Sequence, residues 1–257
     1  MNAQVCYERL KSHLQLLKLE TALNHLDPVL EAAMRAEQST VEALEKLLNI
    51  EVEERFERRL RTNFRLSGLP VKKRLEDFDF DAQPQVPKAM VQELATLRFL
   101  NQGENILLIG SCGVGKTHLA IGLALKALES GHRVNFTTTH NLVAKVHQAR
   151  MRQRLDRLLT TYLNAELLII DELGFLPFES PEANFLFELV NARYQRQKSL
   201  IITSNKTFAQ WEELFPDRVM AIALLDRLMH HGHALQIRGE SYRLKHRKKA
   251  GLSPLPT

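Results

Sequence analysis

Cysteine is almost missing from this chain of 257 residues: only Cys6 and Cys112 occur. No disulfide framework can brace the fold, and a reducing compartment is expected. Long apolar runs are missing as well. No stretch reaches the roughly 18 consecutive apolar residues that a membrane helix needs. The first residues, with Glu8, Arg9, Lys11 and His13 close together, lack the apolar run of a signal peptide. A cytoplasmic protein without a membrane segment is the expectation. Internal repeats and low-complexity segments are lacking too. His230, His231 and His233 lie close together but without the cysteine or ligand spacing of a zinc site. What the chain does have is 44% hydrophobic and 25% charged residues, the balance of a globular protein that buries a core. Its length suits one main domain and an appendage. Lys and Arg together number 35 against 30 Asp and Glu, a formal charge of +5, which permits binding to a polyanion without requiring it.

Residues 1–68 carry helical periodicity and read as a small N-terminal helical domain. Leu10, Leu14 and Leu17 recur at helical spacing, as do Leu23, Leu26 and Leu30, and Asp27-Pro28 punctuates the stretch. Ser39-Thr40-Val41-Glu42 has the form of a capping box that starts another helix. Val41, Leu44, Leu48, Val52, Phe56 and Leu60 then form an apolar stripe. The opposite face, with Glu51, Glu53, Glu54 and Arg55 among its charges, reads as solvated. Gly68-Leu69-Pro70 marks the hinge to residues 69–245, which form the main domain, and 246–257 read as a basic, flexible tail. In the main domain, short apolar strands at 106–109, 134–136, 167–170, 200–203 and, more weakly, 235–237 alternate with helices beginning near Lys116, Asn141, Pro181 and Phe208. Such alternation predicts an α/β fold, a parallel sheet flanked by helices on both faces.

Gly110-Ser111-Cys112-Gly113-Val114-Gly115-Lys116-Thr117 meets every fixed position of a P-loop, directly after one strand and before a helix. The glycines let successive amides turn toward phosphates, Lys116 bridges the outer two, and the Thr117 hydroxyl is a Mg²⁺ ligand. Cys112 reads as a small filler of the loop rather than a reactive thiol. The strand of residues 167–170 runs into Asp171-Glu172, which reads as Walker B: Asp171 for Mg²⁺, Glu172 to deprotonate the attacking water. ATP and Mg²⁺ are the ligands so indicated. Asp171 to Gly174 also fits a GTPase DxxG pattern, but Asn205-Lys206-Thr207-Phe208 puts Phe208 where guanine recognition needs a carboxylate. Asn205, ending a strand, is placed to hydrogen-bond the attacking water or the γ-phosphate. Arg218 and Arg227 are both candidates for an arginine finger.

Positive charge gathers in two places. Lys145, Arg150, Arg152, Arg154 and Arg157 accompany a single acid, Asp156, on what reads as one helix over residues 141–163. Arg238, Arg243, Lys245, Arg247, Lys248 and Lys249 accompany only Glu240. Such density suits sequence-independent contact with DNA phosphates. Aromatic side chains for base stacking are sparse, Tyr162 being the nearest to the first cluster.

Leu75-Glu76-Asp77-Phe78-Asp79-Phe80, GSCGVGKTHLA, LLIIDELG, TSN, LLDRLMHHG and the segment from Ile237 to Lys245, taken in this order, resemble the IstB family of insertion-sequence helper ATPases. That family is similar to the DnaC helicase loaders within the initiator branch of AAA+ ATPases. The resemblance covers essentially the whole chain. It implies an AAA+ core without a C-terminal helical lid, Phe78 near the adenine, Asn205 as sensor 1, and Arg227 acting across subunits. It matches Arg243 to a sensor 2 position, and it places the DNA path on the basic helix after the second strand. The implied role is an ATP-dependent homo-oligomer with ATP at the subunit interfaces, assembled on target DNA and regulating a partner DDE transposase. A DnaC-like replicative helicase loader is the alternative.

Overall fold

The computed structural model describes residues 2–36 and 38–242. The chain divides into two units, residues 1–62 and 63 onward, and the division falls within one long helix. The first unit contains α1 (Ala3–Leu16), α2 (Glu20–Arg35) and most of α3 (Thr40–Ser67). Its core is Leu14, Ala22, Leu26, Val29, Ala33, Ala43 and Leu47. The proline at 28 does not interrupt the second helix, which runs through it. An interior proline costs about 3 kcal/mol, and the nearby burial of Leu26 and Val29, exposed by only 1% and 5%, offsets that cost.

The apolar stripe of α3 is turned the other way from the sequence expectation. Val41, Leu44, Leu48, Val52 and Phe56 are exposed, while Ala43, Leu47 and Glu51 face inward. Glu51 wins its buried place by hydrogen bonding. Its carboxylate accepts from the Ala22 amide at 2.9 Å and from Arg55 Nε at 2.7 Å. The amide belongs to the first turn of α2, whose N-cap Leu19 offers no side-chain acceptor, so Glu51 caps α2 from a neighbouring helix. Desolvation opposes the charge, but the Ala22 amide and Arg55 outweigh it and hold the carboxyl below its ordinary range.

The capping box at the start of α3 is present in both directions. Ser39 N donates to Glu42 Oε2 at 2.7 Å, and Glu42 N donates to Ser39 Oγ at 3.3 Å. The backbone and hydroxyl of Ser39 hold the Glu42 carboxyl below its usual 4.5, so this bracing is complete above that pH and is lost on acidification. Ser39→Ala is expected to cost about 1 kcal/mol of local helix stability. Amide exchange at Glu42 should then quicken about fivefold; unchanged exchange would show that the box does not hold this end.

The second unit begins with the end of α3, an irregular segment, α4 (Lys88–Leu94) and α5 (Arg98–Gln102). There follow β1 (Asn105–Gly110), α6 (Lys116–Glu129), β2 (Val134–Thr138), α7 (Thr139–Met151), α8 (Leu155–Asn164), β3 (Leu167–Leu173) and α9 (Ser180–Gln195). The chain continues through β4 (Ser199–Ser204), α10 (Phe208–Trp211), α11 (Arg218–His230) and β5 (Gly232–Ile237). The five strands form one parallel sheet in the order β2-β3-β4-β1-β5. Strands β1, β3 and β4 are buried almost throughout, as their unbroken apolar runs require when helices cover both faces. Leu107, Ile109, Leu168, Ile170, Leu200 and Ile202 meet α7, α8, α9 and α11 on one face. Their alternates Ile106, Leu108, Ile169 and Ile201 point to the opposite face, where α6 packs on the sheet with Leu119 to Leu128 almost wholly buried.

The single basic helix expected over 141–163 is two helices. The chain turns at Gln153, which has a φ of 52°, and α8 begins at Leu155. Apolar periodicity persists through the break because Leu142, Val146, Tyr162 and Leu163 enter the same core, which is why the sequence reads as continuous. Among the described residues no helix is long and apolar enough to cross a membrane.

Candidate nucleotide site and basic groove

The sheet order brings three strand ends together. β4 lies between β1, which leads into the glycine loop, and β3, which carries the acidic pair. Lys116, the first residue of α6, folds its ammonium over the loop and donates to the carbonyls of Gly110 at 2.8 Å and Ser111 at 2.7 Å. Glycine is required at 115 because φ is 100° there and a Cβ would stand 2.6 Å from the Phe78 ring. That contact places Phe78, 8% exposed, against the loop, edge-on to His118 at 5.4 Å between centroids. A cavity of about 360 Å³ opens here. Phe78, Gln83, Tyr242 and the loop from Gly113 to His118 line it. Of the remaining loop residues, Val114 is buried, and Ser111 and Cys112 are exposed, so Cys112 does not act as packed filler.

Asp171 is the hub of the site. It is 3% exposed, and its carboxylate accepts from Thr117 Oγ1 at 2.9 and 3.2 Å and from Thr203 Oγ1 at 2.5 Å. A line of hydroxyl, carboxylate and hydroxyl therefore joins α6, β3 and β4. Glu172 beside it is exposed and has a φ of 64°, an uncommon conformation for a residue with a side chain. The pairing of β3 with β4 slips its register between Ile170 and Leu173, and such a bulge re-aims a side chain. Thr203 secures the irregular backbone by accepting from the Glu172 amide at 2.9 Å. Strain of order 1–3 kcal/mol is thereby held at the residue that the sequence marks as the base.

Asn205 directly follows β4. Its Oδ1 is buried with no hydrogen-bond partner. It sits over the turn at Gly174, where φ is 108° and a Cβ would come within 2.8 Å of that oxygen. Arg227 lies elsewhere. Its Nε donates to Asn191 Oδ1 at 3.0 Å, its Nη1 to Ala223 O at 2.8 Å, and its guanidinium covers the Phe187 ring at 5.0 Å. Those partners belong to α9 and α11, so the structure does not bring Arg227 to the loop of its own chain. Arg218 pairs with Glu212 at 2.6 Å. Arg243, Lys245, Arg247, Lys248, Lys249 and the expected tail lie outside the described residues, as does any lid that would follow Tyr242. His230 meets the Tyr194 hydroxyl at 3.1 Å, and His233 lies 3.0 Å from Glu104.

The break at Gln153 folds the basic segment onto itself. Lys145, Arg152, Arg154 and Arg157 line a groove of about 240 Å³ between α7 and α8. Arg150 does not line the groove. Tyr162 is 1% exposed and packs edge-on to Phe185, so it offers no face to a nucleic-acid base. The groove gathers four cationic side chains without a stacking platform.

The sequence missed Thr203, Gln83, His118 and Tyr242. Thr203 left a trace, a hydroxyl where the apolar run of β4 ends. His118 follows directly on the loop at the start of α6, whereas Gln83 and Tyr242 come there through tertiary packing: Gln83 Nε2 donates to Glu240 O at 3.0 Å, and Tyr242 N donates to Gly113 O at 3.0 Å. No local pattern marks them.

A P-loop after β1, an acidic pair near the end of β3 and an intervening β4 define a P-loop nucleotide-binding fold of the AAA+ kind. Solved structures agree on the fold. A DnaC helicase loader matches with a TM-score of 0.52 at 22% identity, covering 58% of this chain and 86% of that one. AMPPCP-bound DnaA from Aquifex aeolicus matches with a TM-score of 0.56 at 21% identity, over 73% of this chain and 58% of that one.

The family model for IstB-like ATP binding proteins matches residues 10–250, and the chain belongs to that family. It is similar to the ATP-binding protein of insertion sequence IS21 from Pseudomonas aeruginosa, 45% identical over 92% of this chain and 89% of that protein. It is also similar to the ATP-binding protein of insertion sequence IS232 from Bacillus thuringiensis, 37% identical over 93% and 95% of the two chains.

Proposed function

We propose that this protein is the ATP-hydrolysing helper of an insertion sequence, which assembles on DNA as a homo-oligomer with ATP at the subunit interfaces and regulates a partner DDE transposase. The observation that carries the reading is the Thr117–Asp171–Thr203 line beneath a complete P-loop. It provides a hard oxygen donor set beside a phosphate cradle, which fits a magnesium nucleotide. Mg²⁺ held at the Thr117 hydroxyl and the Asp171 carboxylate supplies charge neutralisation for the phosphates.

The other groups divide the work. The loop amides and Lys116 bind the phosphates, and Phe78 borders the cavity on the side where a base would rest. Glu172, exposed at the bulge, takes a proton from the water that attacks the γ-phosphorus. Asn205 Oδ1, buried and unpartnered, accepts from the same water and fixes its line of approach. The bond from phosphorus to the bridging oxygen breaks, giving ADP and phosphate. Arg227, bound within its own subunit to α9 and α11, serves the site of a neighbouring copy.

The basic groove between α7 and α8 supports DNA binding through phosphates. The full-length likeness to insertion-sequence ATP-binding proteins supports a transposase as the partner. The likeness to DnaC is one of fold, so the loader reading is not carried forward.

The test is DNA binding with and without ATP at two salt concentrations. Lys116→Ala is expected to weaken ATP binding about 10- to 100-fold, the loss of hydrogen bonds from a charged group, and to remove the ATP dependence of DNA binding. Arg154→Glu with Arg157→Glu should flatten the dependence of affinity on salt. An unchanged ATP response in Lys116→Ala would overturn the coupling of nucleotide to DNA.

A further inference from the structure

Away from the nucleotide loop and the basic groove, His147 on α7 meets the start of α9. Its imidazole is half exposed, and its Nε2 lies 3.0 Å from Oε1 of Glu182, a carboxylate only 2% exposed. Glu179, exposed at the N-cap of α9, completes a group whose ligand atoms all lie within 4.8 Å of one another.

Two features set this group apart from a surface ion pair. Beyond the 3.0 Å approach of His147, which does not have hydrogen-bond geometry, neither oxygen of the buried Glu182 carboxylate has a partner, and proteins rarely leave a buried carboxylate so poorly satisfied. The helix start explains an acid in the first turn of α9. It does not explain an unsatisfied one: Pro181 beside it has no amide to give, and the carboxylate accepts from no other donor of that turn. The second feature is the third ligand: Glu179 brings another carboxylate oxygen to within 4.8 Å of the other two donor atoms, where a simple pair would have none.

We propose that His147, Glu179 and Glu182 form a binding site for a first-row divalent cation of the Zn²⁺ type, distinct from the Mg²⁺ position at Thr117 and Asp171. One imidazole nitrogen and two carboxylates select such an ion over Mg²⁺, which prefers an all-oxygen octahedron. Two carboxylates balance its two charges, and three protein ligands leave a coordination position open to water. The site ties α7, which carries Lys145 and leads into Arg152 of the basic groove, to the N-terminal end of α9. Bound metal therefore holds one wall of that groove in place. The cation site itself does not depend on the proposed ATPase reading.

The experiment uses the full chain, freed of metal with EDTA and kept without nucleotide. Titration with ZnCl₂ in a calorimeter is expected to show one ion per chain. Co²⁺ in its place should give visible absorption of a low-symmetry, four-coordinate site. His147→Gln and Glu182→Gln are each expected to weaken Zn²⁺ binding at least tenfold, and His231→Gln to leave it unchanged. Because Glu182 is buried, Glu179→Gln at the exposed N-cap is the second variant, and it should weaken binding without lowering the melting temperature of the metal-free protein. Equal Zn²⁺ affinity in wild type and His147→Gln, or no stoichiometric binding to wild type, would overturn the site and leave His147 and Glu182 as an ion pair alone.

Discussion

Glu172→Gln is expected to lower ATP turnover by about 10²- to 10⁴-fold, the contribution of a positioned general base, while ATP binding stays within a few-fold of wild type. The separation follows from where the two neighbouring acids lie. Asp171 is buried and bound by Thr117 and Thr203, so Asp171→Asn disturbs the donor set itself. Glu172 is exposed, and its side chain is free of that line of hydrogen bonds; only its backbone amide is engaged, by Thr203. Glutamine keeps the shape and loses the proton acceptor. ADP release by Glu172→Gln should fall to the slow rate while fluorescent nucleotide binding is retained, and ATP-dependent occupancy of DNA should be prolonged. Turnover within tenfold of wild type would remove Glu172 from the role of base.

A double readout also tests the local backbone. Thr203→Val keeps the volume of the side chain but removes the hydroxyl shared by Asp171 and the Glu172 amide. If the bulge is what aims Glu172, that variant should lose turnover with modest loss of binding, which a purely structural threonine would not do.

The candidate nucleotide site was legible in the sequence because each of its main groups sits at a strand end. A loop after β1, acids near the end of β3 and an amide after β4 are each written in consecutive residues, and the parallel sheet alone is enough to gather them. The alternation of apolar strands and helices gave the sheet for the same reason. What could not be read depends on partners distant in the chain. The stripe of α3 offers two sides, one with Val41, Leu44 and Leu48 and one with Ala43, Leu47 and Glu51. Periodicity favours the more apolar side, but the fold chose the one where Glu51 meets the Ala22 amide. Pro28 reads as a stop because its local cost is visible and the burial that offsets it is not. Gln153 carries no signal for its positive φ, since glycine or asparagine is the residue expected there. His147 and Glu182, far apart in sequence, share no spacing pattern to announce them.

Arg193 is the clearest case of a residue that sequence reading passed over. On α9, where a charged side chain is ordinarily exposed, it is 0% exposed. Its guanidinium donates to four backbone carbonyls: Tyr162 at 2.8 Å, Ala165 at 3.0 Å, Glu166 at 2.9 Å and Ser199 at 2.6 Å. These carbonyls belong to the C-terminal end of α8, the lead into β3 and the start of β4. A cation at the C-terminal end of a helix also meets the negative end of its dipole. Burial pulls the guanidinium down to about 9, which leaves it charged at neutral pH. Lys198, lowered by desolvation and by the charge of Arg193, donates to Leu163 O at 2.5 Å on the same helix end. Arg193→Met fills the volume and leaves four carbonyls without their donor, so the expected loss is about 4 kcal/mol or more. In a domain of this size that corresponds to a melting temperature lowered by about 8–16 °C. Arg193→Lys should recover little, because one ammonium cannot span carbonyls arranged around a planar fork. The loss should also reach the basic groove, since α8 carries Arg157 at one end and hangs on Arg193 at the other. DNA affinity is then expected to fall in Arg193→Met even at temperatures where the sheet and its ATP binding persist. A melting temperature within 2 °C of wild type would show that water replaces the guanidinium, and that α8 is held by its apolar face alone.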